Sequence, residues 1–283
     1  MEEAGGREDI HFHLDNVPPL ELQLSIRAMS PEFGLSPDDI AQALSREYGF
    51  AMQRDHTYSL RRAYDLGIAE KARLAGKPAY RLTSRGAKLQ SVMAVDSALG
   101  MELLHYLHYT SYGGRQSDRK CLWSYRRCCQ LIWAASATLP TSQMAATIQA
   151  EMREAFPSLD WTGRIGARFD RAAAGRLNLW LRALQPSPLP HGEGPISRRR
   201  TERYELALLA LDDLYRARGY RYGDPVLLDD AVVDQISAVF FLERECSRDL
   251  LHFAVRLSPV IKLADTLAGP SVNLLRTYTI DDL

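Results

Sequence analysis

The amino-acid sequence predicts a mainly α-helical protein with two parts. Residues 1–92 are expected to form a domain of three helices and a two-stranded β-hairpin, and residues 93–283 an all-helical domain. At the end of that domain, the run that starts at Val272 could form a short strand. Apolar residues recur at helical spacing along most of the chain, whereas two short strand-like runs flank Gly76. Residues 185–198 contain four prolines and two glycines, which predicts an exposed loop inside the second domain.

The overall composition is that of an ordinary globular protein, with 46% hydrophobic and 25% charged residues in a chain of 283. Lysine plus arginine equals aspartate plus glutamate, at 35 each, so the net charge indicates no class of partner. The acidic start is unlike a secretory signal, and no apolar run approaches the ~18 residues of a membrane helix. The four cysteines lack the spacing of a disulfide framework. We therefore expect a cytoplasmic protein with no membrane partner.

The first two helices carry clear end signals. The first is predicted over residues 19–29. The second is predicted over residues 37–48, because Ser36 is a good N-cap, Pro37 suits the first helical position and Gly49 ends the pattern. Two helices joined by a short connection are therefore expected before the third.

The third helix is predicted over residues 54–66 and ends at Gly67. Four of its side chains are expected to face the core: Leu60, Ala63, Tyr64 and Leu66. The remaining side chains, which are polar, basic or aromatic, are left for the outward face: Arg54, His56, Thr57, Tyr58, Arg61 and Arg62.

The hairpin that follows is rich in basic residues, with Lys71, Arg73, Lys77 and Arg81 on its strands and turn. Residues 54–88 hold nine lysines and arginines against three acidic residues, whereas residues 1–53 hold three against ten. Positive charge is thus concentrated on the third helix and the hairpin, which is the pattern expected of a surface that meets phosphates.

Three helices followed by a two-stranded wing, with a Leu-Gly-Ile helix end and the run Tyr80–Gly86 after the hairpin, resemble the winged helix-turn-helix families typified by PadR and MarR regulators. The resemblance covers residues 18–92. It implies that the third helix enters the major groove of double-stranded DNA, with Tyr58 and Arg61 facing bases. The hairpin would contact phosphates through Lys71, Arg73, Lys77 and Arg81.

A second resemblance covers the order of motifs beyond the winged helix. The run Phe12-His-Leu precedes the winged helix, and the runs 99–109 and 121–126 follow it. This order is similar to an uncharacterised bacterial family encoded in DNA-modification and phage-defence islands, including those for phosphorothioation. Tyrosine stands here where that family often has tryptophan. The resemblance implies a DNA-binding or assembly subunit whose chemistry is done by a partner.

No motif in the sequence indicates catalysis or a cofactor. Phosphate-loop, dinucleotide-binding and nucleophile-elbow patterns are absent, so we expect a protein that is not an enzyme. Two histidines and three cysteines lie on neighbouring predicted helices without zinc-site spacing, and we interpret them as core residues. They are His105, His108, Cys121, Cys128 and Cys129.

Several basic clusters of the second domain leave two readings open, an extension of a nucleic-acid surface or pairing with acidic residues. Two clusters stay open in this way: Arg115, Arg119, Lys120, Arg126 and Arg127, and Arg164, Arg168 and Arg171. For a third cluster we favour pairing with acidic residues: Arg198, Arg199, Arg200 and Arg203. The acidic residues expected to form these ion pairs are Asp212, Asp213, Asp229, Asp230 and Asp234.

The sequence therefore predicts a double-stranded DNA-binding protein that forms a homodimer or a hetero-complex through its helical domain. Two other functions stay open. One is a transcription regulator that responds to a small effector, and the other is an assembly subunit whose winged helix contacts protein rather than DNA.

Overall fold

The computed structural model describes residues 12, 17–49, 57–112, 120–158, 161 and 169–283. Within this part of the chain the protein is mainly helical, as predicted. The helices are α1 (Pro19–Ala28), α2 (Pro37–Tyr48), α3 (Thr57–Asp65), α4 (Ser84–Val95), α5 (Ser97–Thr110), α6 (Lys120–Ala135), α7 (Thr141–Ala155), α8 (Arg171–Arg182), α9 (Tyr204–Arg218), α10 (Asp230–Phe240) and α11 (Arg244–Leu257). The strands are β1 (Ala69–Leu74), β2 (Lys77–Leu82), β3 (Val226–Leu227), β4 (Ile261–Thr266) and β5 (Gly269–Leu274).

Helix α2 begins and ends where its sequence signals predict. The Ser36 hydroxyl accepts a hydrogen bond from the Asp39 amide, and the Asp39 carboxylate accepts one from the Ser36 amide, which completes a capping box. At the other end, Gly49 adopts a left-handed conformation with φ of 60°, which glycine tolerates without a steric cost. These local signals explain why the helix bounds were predictable.

Helix α1 lies against α2, α3 and α4. Its C-terminal carbonyls are bound by one side chain, because the Gln90 amide of α4 donates to the carbonyls of Ile26, Arg27 and Met29. The Gln23 amide reaches further, to the Ser97 carbonyl at the start of α5. The hydrophobic core then continues without a break from α1 into the later helices.

The prediction that residues 93–283 are all-helical is wrong, because they also contain a three-stranded antiparallel sheet in the order β3-β5-β4. The apolar side chains Ile261, Leu263, Val272 and Leu274 share one face of this sheet, since Ile261 pairs with Leu274 and Leu263 with Val272. The alternation of apolar and other residues along β4 and β5 was the sequence signal that could have predicted these strands. The strand β5 ends at Leu274, and the last turn of the chain, Ile280–Asp282, is a 3₁₀ helix.

Residues 185–198 form an irregular loop, as predicted, but the loop is not exposed throughout. Leu189 and Ile196 are buried in the core, and Pro195 forms an isolated β-bridge with Ala137. The loop thus lies along the end of α6, and it leads directly into the buried residue Arg199.

Arg199 forms an ion pair in the protein interior with Glu102 of α5. Both side chains are 2% exposed, and the two guanidinium nitrogens Nη1 and Nη2 lie 2.6 and 2.7 Å from the carboxylate oxygens. The same guanidinium donates to the carbonyls of Phe240 and Pro186. One side chain therefore joins α5, the 185–198 loop and the end of α10.

None of the helices in the described residues is both long enough and apolar enough to cross a membrane.

Candidate nucleic-acid interface

The exposed side of α3 presents two of the residues predicted there. Tyr58 is 47% exposed and Arg61 is also exposed, whereas Leu60, Ala63 and Leu66 are buried as predicted. Among the residues that the structure describes, Arg61 has no ion-pair partner. Its guanidinium is therefore left to solvent or to a ligand.

Arg62 corrects the predicted outward face. Its side chain is 2% exposed, and its Nη1 lies 3.4 Å from the Cys121 sulfur of α6. The helix is covered on two sides, because Ser59 on the α1 side contacts Ser25 while Arg62 contacts α6. The buried arc of α3 is therefore wider than hydrophobic spacing alone predicts, and Arg62 cannot meet a ligand from outside.

Three predicted residues of this helix are only partly covered by the structure. Arg54 and His56 lie outside the described residues. Thr57 is the first residue of α3, and its side chain also lies outside the description. Their predicted contacts stay predictions.

The strands β1 and β2 form a regular antiparallel hairpin with a two-residue turn. The register pairs Leu74 with Lys77, which leaves Ala75 and Gly76 at the tip. Both tip residues have positive φ, of 48° and 79°, as the right-handed twist of a tight hairpin requires. Gly76 adopts this conformation without a steric cost, whereas the Cβ of Ala75 makes it less favourable there.

The hairpin distributes its basic residues over two faces. Side chains alternate along a strand, so Lys71 and Arg73 share one face, while Lys77 and Arg81 share the other. All four residues are exposed. Arg81, however, forms an ion pair with Glu70 across the strands, on the second face. The first face therefore carries two cations without a carboxylate between them.

The first face of the hairpin lies toward α3. The Lys71 ammonium lies 4.9 Å from the centre of the Tyr64 ring, and Tyr64 is half-buried one turn after Arg61. Tyr58, Arg61, Tyr64, Lys71 and Arg73 thus form one surface across α3 and β1, which we call the basic face. Tyr64 was expected in the core, so the residue that joins the two elements was missed by sequence reasoning.

A third segment supports the base of the hairpin. Leu35, in the connection between α1 and α2, exchanges two backbone hydrogen bonds of 2.9 Å with Tyr80 of β2. The neighbouring Gly34 packs so closely that an added Cβ would lie 3.0 Å from the Ala72 Cβ. Since an isolated two-stranded hairpin is only marginally stable, this contact holds the hairpin to the helices.

The residues that follow α3 pack against the start of α4 at Gly86. Thr83 caps α4 by accepting from the Gly86 amide, and its hydroxyl donates to the Gly67 carbonyl at 2.7 Å. An added Cβ on Gly86 would lie 2.0 Å from the Ile68 carbonyl oxygen, so a side chain has no room. The run from Tyr80 to Gly86 is thus explained by packing, because it closes the hairpin onto α3.

Basic residues of the helical part are mostly paired with acids. In the first of the two open clusters, Arg126 lies 3.0 Å from Asp213 and Arg127 lies 2.8 Å from Glu151. Arg115, Arg119, Arg164 and Arg168 lie outside the described residues, as does the Lys120 side chain, and Arg171 begins α8. These facts remove only Arg126 and Arg127 from the candidates for an extended ligand surface.

The third cluster pairs with acids as predicted, but mostly with different ones. Arg199 pairs with Glu102, Arg200 with Glu243 at 3.4 Å and Arg203 with Asp96 at 2.7 Å. Only Arg198 lies near a predicted acid, at 4.0 Å from Asp234. The partners differ because they come from helices that folding brings alongside the cluster.

The histidines of α5 are packed in the core. His105 is fully buried between the Tyr125 hydroxyl and the Val239 carbonyl, each 2.7 Å from a ring nitrogen. The pKa of His105 is lowered to about 4, mainly by burial, which the hydrogen bond to the Val239 carbonyl opposes and the nearby charge of Arg199 reinforces. The Cys121, Cys128 and Cys129 thiols are buried too, and the described residues contain no group of metal ligands.

A cleft of about 870 Å³ separates the α3–α4 connection from the helical part. Its walls include Arg85 of α4, Tyr106 and Thr110 of α5, and Arg216 of α9. Arg216 is held by Asp212 at 2.7 Å and by the Tyr106 hydroxyl at 3.0 Å. Arg216, Asp212 and Asp213 of the cleft thus pair with one another, whereas Arg85 and Asp281 have no ion-pair partner among the described residues.

Comparisons of this chain with protein-family profiles, with curated proteins and with solved structures found no match.

Proposed function

We propose that this protein binds double-stranded DNA through the basic face, with α3 as the recognition helix and the β1–β2 hairpin as the wing of a winged helix-turn-helix. The observation that carries the proposal is the position of Lys71 over the Tyr64 ring. This contact places the basic residues on the first face of the hairpin beside the exposed side of α3 that carries Arg61. One continuous surface then carries positive charge over α3 and the hairpin.

The chemistry of this surface suits a nucleic-acid duplex. A helix fits the major groove, and the exposed Tyr58 and Arg61 are on the side of α3 that would enter it. Lys71 and Arg73 would then contact phosphates beside the groove. Arg81 is a weaker candidate than predicted, because its charge is balanced by Glu70. Lys77 lies at the tip on the opposite face, where it would touch only DNA that wraps around the hairpin.

The proposal is tested by the anisotropy of a random-sequence fluorescent duplex at about 50 and 200 mM salt, the range over which phosphate contacts differ most. Arg61→Ala/Lys71→Ala is expected to weaken binding and to lower the slope of log affinity against log salt by about 1, because Lys71 is the residue of this pair that would contact a phosphate. The matched control is Arg256→Ala/Lys262→Ala, which removes the same two charges from exposed residues elsewhere.

Equal losses in the two double variants would show that only net charge matters, and would contradict the proposed surface. Absence of binding by the wild type at low salt would remove general DNA binding. It would favour the assembly-subunit function, in which the same surface contacts protein.

The wider role proposed for this DNA binding is in a bacterial DNA-modification or phage-defence system, with a partner protein performing the chemistry. Its support is the order of motifs described above, from Phe12 through the runs 99–109 and 121–126. Co-purification with the products of neighbouring genes tests this role, and a protein that acts alone on one operator would contradict it.

A regulator that responds to an effector has one observation in its favour, the cleft beside the α3–α4 connection. A small polar molecule bound there would touch Leu66 and Gly67 at the end of α3, and so reach the recognition helix. Thermal-shift screening with polar metabolites tests this second function. A stabilising compound that also changes duplex affinity would support it, and one that leaves duplex affinity unchanged would not.

A further inference from the structure

The side of α11 that faces away from the rest of the protein carries two large apolar residues. Helix α11 packs against α9, α10 and β4, and its buried side includes Leu250, Leu251 and Ala254. On the other side Phe253 is 45% exposed and Leu257 is 54% exposed, one helical turn apart. These two neighbouring side chains therefore stay largely open to solvent in a single copy of the chain.

Two residues of opposite charge flank Phe253 on the same face of the helix. Asp249 lies one turn before Phe253 and Arg256 about one turn after it, so the two charges are ~10.5 Å apart along the helix axis. Both residues are exposed, and neither forms an ion pair within the part of the chain that the structure describes. Two other arginines of the same helix, in contrast, pair with aspartates of α10. The folded chain thus leaves the charges of Asp249 and Arg256 unpaired.

This order of charges is complementary to itself when a second α11 lies antiparallel to the first. A two-fold axis between positions 252 and 253 brings Asp249 of each copy opposite Arg256 of the other, since in such an interface residue i contacts j and j contacts i. Packed helices have axes about 8–10 Å apart, a distance that these two side chains bridge together. Phe253 of each copy then lies beside the axis, and Leu257 continues the apolar strip on the same side of the helix.

We propose that α11 is the interface through which two copies of this chain form an antiparallel, two-fold symmetric dimer. Two ion pairs between Asp249 and Arg256 fix the register, and Phe253 and Leu257 of both copies form the apolar centre. A helix of 14 residues is ~21 Å long, so the contact of two such helices is smaller than the about 800 Å² per partner of a standard interface. The dimer is therefore weak, with a dissociation constant of about 10–100 μM.

Charge reversal followed by mixing tests this interface. Sedimentation equilibrium of the DNA-free protein over about 5–500 μM covers the expected dissociation constant. Asp249→Arg and Arg256→Asp each place like charges opposite each other, so each variant alone is expected to be a monomer where the wild type is a dimer. In an equimolar mixture, the arginine introduced at position 249 of one copy faces the aspartate introduced at position 256 of the other. The unchanged Arg256 and Asp249 also face each other, so the mixture is expected to form heterodimers.

The matched controls are Arg153→Asp and Glu154→Arg, which make the same reversals at exposed positions of α7 and are expected to leave the dimer unchanged. Heterodimers in the mixture also show that both variants fold, since a misfolded chain would not restore the interface. A wild type that stays monomeric over the whole range, reversal variants that still dimerise alone, or a mixture that stays monomeric would each overturn the proposal.

Phe253→Ala tests the apolar centre of the same interface. We expect the dissociation constant of the dimer to rise about tenfold, because aromatic residues near the centre of an interface contribute most to binding. Leu179→Ala is the matched control, since Leu179 is 47% exposed on α8. Phe253 also packs edge-on against Tyr204, with ring centres 5.9 Å apart, so a thermal melt of the variant checks that its fold is kept. An unchanged dissociation constant, or an equal rise in both variants, would overturn the apolar centre.

Dimer formation and DNA binding can fail separately, because the dimer is measured without DNA. Arg256→Ala/Lys262→Ala, the control in the duplex experiment, lacks one member of each ion pair and is expected to be a monomer. It stays a valid control on a duplex of about one helical turn, which has room for a single basic face. A monomeric wild type that still binds this duplex would remove the dimer and leave the DNA-binding function standing. A dimer that binds no duplex would do the reverse.

Discussion

Arginine serves two opposite purposes in this protein. Arg199 lies in the interior, where Glu102 and two backbone carbonyls take up its hydrogen bonds. Arg61 lies on the surface of α3 with no ion-pair partner among the residues described. The comparison teaches that the number of basic residues in a segment says little about ligand binding until each has been placed, since only an unpaired, exposed cation is available to a phosphate.

The largest effect on stability is expected from the buried arginine of this comparison, Arg199. Arg199→Met leaves the Glu102 carboxylate buried without its counter-charge, which should lower the free energy of unfolding by about 3–5 kcal/mol. Urea denaturation measures the change. Adding Glu102→Leu to the variant should recover part of the loss, because no unpaired charge is then buried. A loss below about 1 kcal/mol in the single variant would contradict the described ion pair.

The second largest effect on stability is expected where the start of α4 packs against Ile68, beneath the basic face. Gly86→Ala places a Cβ against the Ile68 carbonyl, and overpacking of this kind costs about 1–3 kcal/mol. Gly175→Ala in α8 is the matched control, because an added Cβ there meets no atom within 4 Å. In that helix interior alanine should be more stable than glycine by up to about 1 kcal/mol. Thermal melts of the two variants should therefore shift in opposite directions.

The buried His105 predicts how stability depends on pH. Its pKa is about 4 in the folded protein and near 6.5 in the unfolded chain. The unfolded state therefore binds more protons between these values, so stability is complete above pH 6.5 and falls as the pH drops toward 4. Between pH 7 and 5 His105 should contribute about 2 kcal/mol to this loss, and His108, whose pKa burial also lowers, adds to it. Urea midpoints at several pH values measure it, and a slope unchanged by His105→Gln would contradict the assignment.

The hairpin tip gives the smallest effect. Ala75 adopts a left-handed conformation that asparagine and glycine adopt more easily. Ala75→Asn should therefore raise the free energy of unfolding by about 0.5–1 kcal/mol without changing duplex affinity. Differential scanning calorimetry is sensitive enough for this change. A lower melting temperature would show that the turn does not have the described conformation.

The elements of residues 17–92 could be predicted because their signals are local. Ser36, Pro37 and Gly49 define α2 within its own sequence, and Gly76 marks the hairpin turn. The existence of the strand pair and its exposed basic residues follows from the same short stretch. Whether the four basic residues of the hairpin share a face depends on how β1 and β2 pair, and the sequence alone left this register open.

What the sequence did not predict depends on contacts between distant residues. Arg62 is buried because α6 covers it, and the two residues in contact are 59 positions apart. Glu102 and Arg199 are separated by 97 positions. Of the C-terminal sheet only a strand from Val272, which overlaps β5, was anticipated. The other strands were missed because they are short, and β3 contributes only two residues. No local pattern distinguishes an arginine that will be buried from one that will stay exposed.

The contact between Arg62 and Cys121 has a consequence for how such proteins diverge. The inner side of α3 packs against α1, where Ser59 contacts Ser25. Here the inner side of α3 is also shaped to the surface of α6, so a transplanted helix would have to match both. For the proposed DNA-binding function, this means that changes in specificity should accumulate by point substitution at Tyr58 and Arg61, rather than by replacement of the whole helix.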